Sequence, residues 1–219
     1  MNPLPDATTS ATSIESVSNV FPIAKSTHNG VSVEYVHHPS RQWYVFRASY
    51  GREKQAHDFL VEDGAYAYFA QRYVEKIVQG KLKRQLAPLI PNLLFAYLTP
   101  SEAEKYVRDT PQLSYLSYYY DHFHRDARNY NPPLIIPPRE MRNFVLATST
   151  YNEHVLFVQP RYCHFKSGDL VRVIEGPFCG VEGKVARVAG QQRVVISLSN
   201  IGLISTAYIP TPFLQKIGD

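Results

Sequence analysis

The stretch Phe165-Lys-Ser-Gly-Asp-Leu-Val-Arg-Val-Ile-Glu-Gly-Pro-Phe-Cys-Gly-Val-Glu-Gly-Lys-Val-Ala-Arg-Val188 decides the fold of the C-terminal part of the chain. Apolar residues alternate over residues 170–174 and again over residues 183–188, which predicts two strands with one buried face each. The run of residues 193–198 repeats this pattern. Such short strands, separated by glycine-containing turns, predict a small and strongly bent antiparallel barrel over residues 165–219.

This arrangement resembles the KOW motif in the form carried by the C-terminal domain of NusG-type transcription elongation factors. The resemblance implies a structural role for five residues of the stretch: Gly176, Pro177, Phe178, Gly180 and Gly183. Glycine supplies backbone angles that other residues adopt only at a cost, so these glycines are interpreted as residues that bend the chain. A KOW motif alone also fits ribosomal proteins, and the preceding residues must distinguish the two classes.

The residues before the barrel predict an α+β domain, an antiparallel sheet with helices packed against it. Gln42-Trp-Tyr-Val-Phe-Arg-Ala48 is rich in aromatic and β-branched residues and predicts the first strand. Thr99-Pro-Ser-Glu102 has the pattern of a helix capping box. The remaining predicted elements are a helix at 52–63, a basic-tipped hairpin at 74–86, strands at 93–98 and 113–120, and helices ending near 108 and starting near 137.

The first strand and the helix after it resemble the start of the N-terminal (NGN) domain of the NusG family. The resemblance rests on Trp43-Tyr44, a glycine a few residues later, and Glu53-Lys54 at the start of the helix. The segments Glu75-Lys-Ile-Val-Gln-Gly-Lys81 and Pro91-Asn-Leu-Leu-Phe95 are similar to RfaH-like specialised paralogues. Pro137-Pro-Arg-Glu140 and Thr206-Ala-Tyr-Ile-Pro210 are similar to antitermination proteins of the UpxY type.

The predicted organisation therefore has four parts. Residues 1–40 are poor in regular periodicity and are expected to form a mobile extension, with a weak edge-strand pattern at 31–36. Residues 41–148 are expected to form the NGN-like domain, residues 149–164 a linker, and residues 165–219 the KOW-like barrel.

Composition limits the classes of function. The net charge is +4 with a pI near 9.0, which fits work near nucleic acid but is too weak for tight autonomous DNA binding. The sequence has two cysteines, too few for a disulfide framework or a metal cluster, and no apolar run of membrane-spanning length or secretory signal. His57 and Asp58 are neighbours on one predicted helix, and His122 and His124 share a face beside Asp121, but no third metal ligand of suitable spacing is evident there. No phosphate-binding or nucleophile motif occurs, so neither an enzyme nor a cofactor or metal site is predicted.

The resemblance implies that the N-terminal domain binds the clamp helices of the largest subunit of RNA polymerase through an apolar patch. The positions that match this patch are Tyr44, Leu93 and Phe95. The alternative is that these residues belong to the core, since neighbouring strand residues face opposite sides. If Phe95 is exposed, Phe95→Ala would abolish polymerase binding at unchanged melting temperature; a large loss of stability would place Phe95 in the core.

Further contacts are implied by position. The cations expected near upstream or non-template DNA are Arg52, Lys54, Lys76, Lys81, Lys83 and Arg84. Residues matching a contact with the polymerase gate loop are Glu104, Lys105 and Tyr106. Ile201 and Gly202 match the loop with which family members hold a ribosomal protein or a termination factor. The alternatives are a solvated hairpin for the cations and a plain turn for Ile201 and Gly202.

The resemblance thus implies a monomeric, cytoplasmic, non-enzymatic elongation or antitermination factor that suppresses pausing or termination, on a polysaccharide biosynthesis operon. The alternative is a ribosome-associated RNA-binding protein that uses the KOW barrel.

Overall fold

A computed structural model describes residues 38–159 and 162–217 of the chain, with the backbone alone for residues 164–168. The extension expected over residues 1–40, including the edge-strand pattern at 31–36, lies almost entirely outside the described residues. None of the helices in the described part of the chain has the length and hydropathy needed to cross a membrane.

The N-terminal half is a sheet with helices on both of its faces. Its elements are β1 (Gln42–Ala48), α1 (Glu53–Glu62), β2 (Tyr66–Tyr68), β3 (Gln71–Val78), β4 (Lys81–Pro88), β5 (Leu93–Leu98), α2 (Pro100–Arg108), β6 (Leu116–Tyr118), β7 (Ile135–Ile136) and α3 (Pro138–Thr148). The hydrogen-bonded order is β2–β5–β1–β6, and β7 pairs with the first part of β1. We call these five antiparallel strands the N-terminal sheet. The predicted α+β architecture of this half is confirmed.

The two central strands, β1 and β5, are apolar on both faces because helices cover both sides of the sheet. Successive residues of a strand point to opposite faces. Along β5, Leu93, Phe95 and Tyr97 belong to one apolar cluster, and Leu94, Ala96 and Leu98 belong to another. The first cluster contains residues of α3, and the second contains residues of α1 and α2. The sheet therefore separates two cores.

The helices begin and end close to the predicted positions. The capping box of α2 is formed: the Thr99 hydroxyl accepts the Glu102 N–H at 3.3 Å, and the Glu102 carboxylate accepts the Thr99 N–H at 2.8 Å. The strand expected over residues 113–120 is shorter, since a 3-10 turn occupies Pro111–Leu113 and only Leu116–Tyr118 pairs with β1.

The predicted hairpin is confirmed and extends further than expected. β3 and β4 pair along their whole length as a separate two-stranded unit. Its two-residue turn, Gln79-Gly80, has positive φ at both positions, 52° and 73°. This is the backbone that a tight hairpin turn requires, and Gly80 adopts it without strain.

The C-terminal half forms a second antiparallel sheet, which we call the C-terminal sheet. Its strands are β8 (Leu156–Val158), β9 (His164–Val173), β10 (Glu182–Val188), β11 (Gln191–Leu198), β12 (Gly202–Tyr208) and β13 (Leu214–Lys216). The order is β13–β9–β10–β11–β12–β8, and the register shifts within the β9–β10 and β11–β12 pairs bend the sheet. The three strands predicted from the alternating runs are present.

One expectation for this half needs correction. Among the described residues the end strands β13 and β8 do not pair, so the strands form an open sheet and the expected closed barrel is not seen. The free edge of β12 is occupied by β8. β8 lies within residues 149–164, the segment expected to be a linker with partial order over residues 155–158, and it adds a strand to the C-terminal sheet.

α3 joins the two halves. It contacts β1 on the N-terminal side and β11 and β12 on the C-terminal side. One continuous apolar cluster contains Phe95 of β5, Phe144 of α3 and Ile196 of β11, among others. The two sheets therefore share a core through α3, and the surfaces of the N-terminal sheet that face α3 also face the C-terminal sheet.

Candidate partner-binding surfaces

The three residues matched to the polymerase patch do not lie on one face. Tyr44 points to the core formed with α1 and α2, where its ring lies 6.2 Å from those of Phe46 and Tyr118. Burial raises the pKa of the Tyr44 phenol above its usual value. Leu93 and Phe95 point to the opposite face, toward α3. Only Leu93 and Phe95 are brought together.

Phe95 is a core residue in this structure. Its side chain has 0% exposure, and its ring centroid lies 5.1 Å from that of Phe144 in α3. A residue in this position contributes to the packing of α3 on the sheet. Contact between Phe95 and a partner therefore requires α3 to move.

Leu93 lies at the junction of the two halves. It is 8% exposed and lines a cavity of about 240 Å³ together with Phe157 of β8 and Ile201, which precedes β12. Arg47 and Tyr119 of the N-terminal half also line this cavity. The side of the N-terminal sheet that carries Leu93 therefore faces the C-terminal sheet.

The loop predicted to hold a partner of the KOW domain lies at the same junction. Ile201 closes the β11–β12 turn, where its N–H donates to the Leu198 carbonyl at 3.0 Å. A Cβ atom at Gly202 would lie 2.6 Å from the Phe157 ring, so the close approach of this ring favours glycine at this position. In this arrangement, Leu93 and Ile201 face each other across one cavity.

Polar contacts reinforce the junction beside this apolar contact. The buried carboxylate of Glu182, in β10, accepts hydrogen bonds from Arg139 of α3 at 2.9 and 3.1 Å and from Arg172 of β9 at 2.6 and 3.0 Å. The Asn143 side-chain oxygen accepts the backbone N–H of Glu182 at 2.9 Å. One carboxylate oxygen and the backbone amide of Glu182 are therefore satisfied across the junction, and the other oxygen is satisfied within the C-terminal sheet.

Burial alone would raise the pKa of Glu182, but the hydrogen bonds and charges of Arg172 and Arg139 hold the pKa below its ordinary value. Glu182 is therefore ionised at neutral pH. A second carboxylate of α3, Glu140, accepts the N–H and the hydroxyl of Ser199, both at 2.7 Å. These contacts connect the N-terminal part of α3 with β10 and with the turn that follows β11.

The cations of the hairpin divide between its two faces. Cross-strand partners share a face, and Lys76 lies directly opposite Lys83. Arg84 lies on the other face, where its guanidinium stacks 4.2 Å from the centre of the Tyr73 ring and lies 3.6 Å from Glu153. Lys81, beside the turn, is on the same face as Lys76 and Lys83 and is exposed like them. Three of the four predicted hairpin cations thus form one exposed basic face.

The two cations at the start of α1 are already engaged. The Arg52 guanidinium lies 3.8 Å from the centre of the Tyr115 ring and 5.4 Å from that of Tyr50. Lys54 forms an ion pair with Asp58, one turn later on the same helix. Arg52 and Lys54 can reach a phosphate only if Arg52 shares or leaves its contact with Tyr115 and Lys54 shares or leaves its contact with Asp58.

The residues matched to the gate-loop contact lie on α2 and differ in accessibility. Lys105 pairs with Asp63 at 3.0 Å, and Glu104 pairs with Arg108 at 3.3 Å. Tyr106 is 4% exposed and donates its hydroxyl proton to Asp63 at 2.7 Å. Burial, with the neighbouring Asp63 carboxylate, raises the pKa of Tyr106. Glu104 and Lys105 can be reached from solvent, whereas Tyr106 connects α2 to the end of α1.

The five residues assigned a structural role form the turn after β9 and the start of β10. Gly176 and Gly180 have φ of 82° and 86°, and the N–H of Gly180 donates to the Val173 carbonyl at 2.8 Å. Phe178 is buried at 3% exposure, and Pro177 precedes it in the turn. A Cβ atom at Gly183 would lie 2.5 Å from the Val195 carbonyl oxygen. The glycines bend the chain and allow close strand contact.

The histidines considered for catalysis or metal binding have other contacts. His57 is buried, lies 3.0 Å from Asp58 and packs edge-on against Phe69. His124 contacts Asp121 at 2.8 Å, and the His122 ring packs on Tyr119. Among the described residues, no group of three or more His, Cys, Asp or Glu side chains could hold a metal ion.

The polar residues of the junction, Arg139, Glu140, Asn143, Glu182 and Ser199, were not identified from the sequence. One signal was available in the sequence of α3. Arg139 and Glu140 stand near the start of a helix whose residues toward the C-terminal end are mostly apolar and buried. Nothing in the local pattern indicated which surface they would contact.

Comparison with known proteins agrees with the fold of the N-terminal half. Residues 41–145 match the family model described as NusG: Transcription termination factor nusG. The matched segment spans β1 through most of α3, slightly less than half of the chain. It is similar to a family of transcription elongation and antitermination factors that are generally non-enzymatic and generally interact with RNA polymerase. A comparison of the chain with curated proteins found no match.

Proposed function

We propose that this protein is a non-enzymatic transcription elongation or antitermination factor of the NusG family that binds the clamp helices of RNA polymerase. The observation that carries this proposal is the family match over residues 41–145, on a domain whose β5 places Leu93 and Phe95 on one apolar face. By bridging the polymerase cleft, the bound factor disfavours clamp opening and suppresses pausing or termination in the cytoplasm.

The finer parts of the proposal rest on sequence resemblance. The protein is a specialised paralogue of the UpxY type that acts as a monomer on a polysaccharide biosynthesis operon. The C-terminal sheet corresponds to the KOW domain and holds a ribosomal protein or a termination factor near Ile201 and Gly202. The basic hairpin face, with Lys76, Lys81 and Lys83, makes weak and salt-sensitive contacts with upstream or non-template DNA.

Polymerase binding in this scheme requires an opening step. Leu93 is nearly buried beneath Phe157 and Ile201, and Phe95 is covered by α3. A clamp helix that contacts Leu93 must therefore displace the C-terminal sheet, and one that contacts Phe95 must also displace α3. The opening exposes Ile201 at the same time, so both partner surfaces become accessible together.

A pull-down of the full chain with an isolated clamp-helix fragment tests the proposal. We expect capture, and stronger capture by a variant with Arg139→Ala and Glu140→Ala, since this variant loses two polar contacts between α3 and the C-terminal sheet. The control is Glu62→Ala, an exposed acidic residue on α1, which should behave as the wild type. Co-purification of ribosomal RNA without polymerase would contradict the proposal and favour a ribosome-associated RNA-binding protein.

A further inference from the structure

The loop of residues 121–133, which we call the aromatic loop, exposes two aromatic rings to solvent. Phe123 is 74% exposed and Tyr130 is 72% exposed. Single exposed apolar residues are common on protein surfaces, but two large rings on one short loop are a feature of binding surfaces. The proposed polymerase contact uses neither residue, because that contact lies on the face of Leu93.

The two ends of the aromatic loop are joined. Tyr120 and Pro133 form a β-bridge, and the Asp121 N–H donates to the Pro132 carbonyl at 2.8 Å. The Asn131 side chain also donates to the Asp121 carbonyl. A compact surface loop with closed ends of this kind is frequently functional.

Two carboxylates inside the loop set its backbone. Asp121 accepts the N–H of Phe123 at 2.8 Å, and Asp126 accepts the N–H groups of Arg128 and Tyr130, both at 2.9 Å. These bonds hold the backbone that carries both exposed rings. A ligand that binds to a preorganised loop loses less conformational entropy than one that must order it.

Two cations of the loop reach solvent. Arg125 and Arg128 are exposed, while Asp121 and Asp126 accept hydrogen bonds from backbone N–H groups of the loop. Arg125 also donates to the Asn129 carbonyl at 3.1 Å, which holds it against the loop. The Arg128 guanidinium has no hydrogen-bonded or ionic partner among the residues that the structure describes. Each exposed ring therefore has an arginine two residues away in the sequence.

We propose that the aromatic loop binds single-stranded nucleic acid, with bases stacking on Phe123 and Tyr130 and phosphates contacting Arg125 and Arg128. Unpaired bases stack on aromatic side chains, and the phosphate backbone is attracted to nearby cations. The loop contains no Leu, Ile, Val or Met. The exposed apolar surface of the loop is therefore mainly aromatic, which fits a stacked base as the occupant.

This contact uses none of the residues assigned to polymerase binding or to the basic hairpin face. It can be measured on the full chain by fluorescence anisotropy, with labelled single-stranded RNA and DNA of about 12 nucleotides and mixed sequence. Loss of one stacked base lowers affinity about tenfold. We therefore expect the double variant Phe123→Ala/Tyr130→Ala to have a dissociation constant at least about tenfold larger than that of the wild type. Arg128→Ala should weaken binding and lower the slope of log K against log salt by about 0.7.

The matched control is Tyr208→Ala, which removes a tyrosine of β12 that is 55% exposed, and we expect its affinity to be unchanged. A second variant, Phe123→Leu with Tyr130→Leu, keeps apolar bulk without a ring and should lose binding to the same extent. The proposal is overturned if the aromatic variants bind like the wild type, if Tyr208→Ala weakens binding equally, or if duplex of the same sequence binds more tightly. The proposal is also overturned if the aromatic variants lose binding to an acidic peptide while their affinity for single-stranded nucleic acid is unchanged.

Discussion

Arg139, near the start of α3, donates two hydrogen bonds to one carboxylate oxygen of Glu182 in β10, at 2.9 and 3.1 Å. The Glu182 side chain is 9% exposed, whereas the Arg139 side chain is 67% exposed. The buried partner of this pair therefore belongs to the C-terminal sheet, and the solvated partner belongs to the helix that covers Phe95.

Glu182→Gln should lower the free energy of unfolding by about 2 kcal/mol. The substitution removes the charge that accepts hydrogen bonds from Arg139 and Arg172, and hydrogen bonds to charged groups contribute about 1.5–3 kcal/mol each, reduced here because both arginines are partly solvated. Urea denaturation measures the change. Glu175→Gln, an exposed glutamate of the turn after β9, serves as the control. Equal stability of the two variants would show that the Glu182 contact contributes nothing net.

The stability of the protein should fall in acid through Glu182. Its pKa in the folded state is depressed below the ordinary value of 4.5, so the stabilisation is present above that value and is lost as the pH falls through the folded-state pKa. Urea denaturation between neutral pH and pH ~3 should show this loss. In Glu182→Gln the dependence should be shallower, and an unchanged dependence would exclude Glu182 as its source.

Phe95→Ala should destabilise the protein by about 3–5 kcal/mol, because it leaves a cavity beneath α3. Phe123→Ala makes the same chemical change on the exposed aromatic loop and should change stability by less than about 0.5 kcal/mol. Thermal unfolding of the two variants compares them directly. A small effect of Phe95→Ala would show that α3 does not hold this face closed in solution.

Gly183→Ala should destabilise the C-terminal sheet by about 1–3 kcal/mol or more, because the new Cβ would meet the backbone carbonyl of Val195. At Gly190, whose φ is 77°, a Cβ would meet nothing within 4 Å. Gly190→Ala therefore carries only backbone strain of about 1–2 kcal/mol. Denaturant unfolding should give a lower free energy of unfolding for Gly183→Ala than for Gly190→Ala. The reverse order would contradict the close contact between β10 and β11.

The local elements could be predicted from the sequence because their signals are local. The Thr99–Glu102 capping box, the Gln79-Gly80 turn and the alternation in β10 each depend on residues a few positions apart. Alternation along β5 also predicts that Leu93 and Phe95 share a face. It cannot relate β5 to β1, whose register places Tyr44 opposite Ala96, and for this reason Tyr44 was grouped with residues of the other face.

The junction could not be predicted for a related reason. β8 is only three residues long, and its pairing with β12 spans more than forty positions of the chain. The contacts of Arg139 with Glu182 and of Glu140 with Ser199 depend on how α3 meets a sheet formed later in the sequence. Such contacts are set by the packing of complete surfaces, which residue patterns within a single element do not encode.

The core that the two sheets share through α3 lowers the apparent affinity of any partner that binds the covered face. A partner that needs Leu93 exposed binds only the fraction of molecules in which the C-terminal sheet has moved away. Its apparent dissociation constant equals the intrinsic one divided by that fraction. Each 1.4 kcal/mol that holds the sheets together thus weakens apparent binding about tenfold. Substitutions at the junction would therefore tune the occupancy of the partner without altering any residue that contacts it.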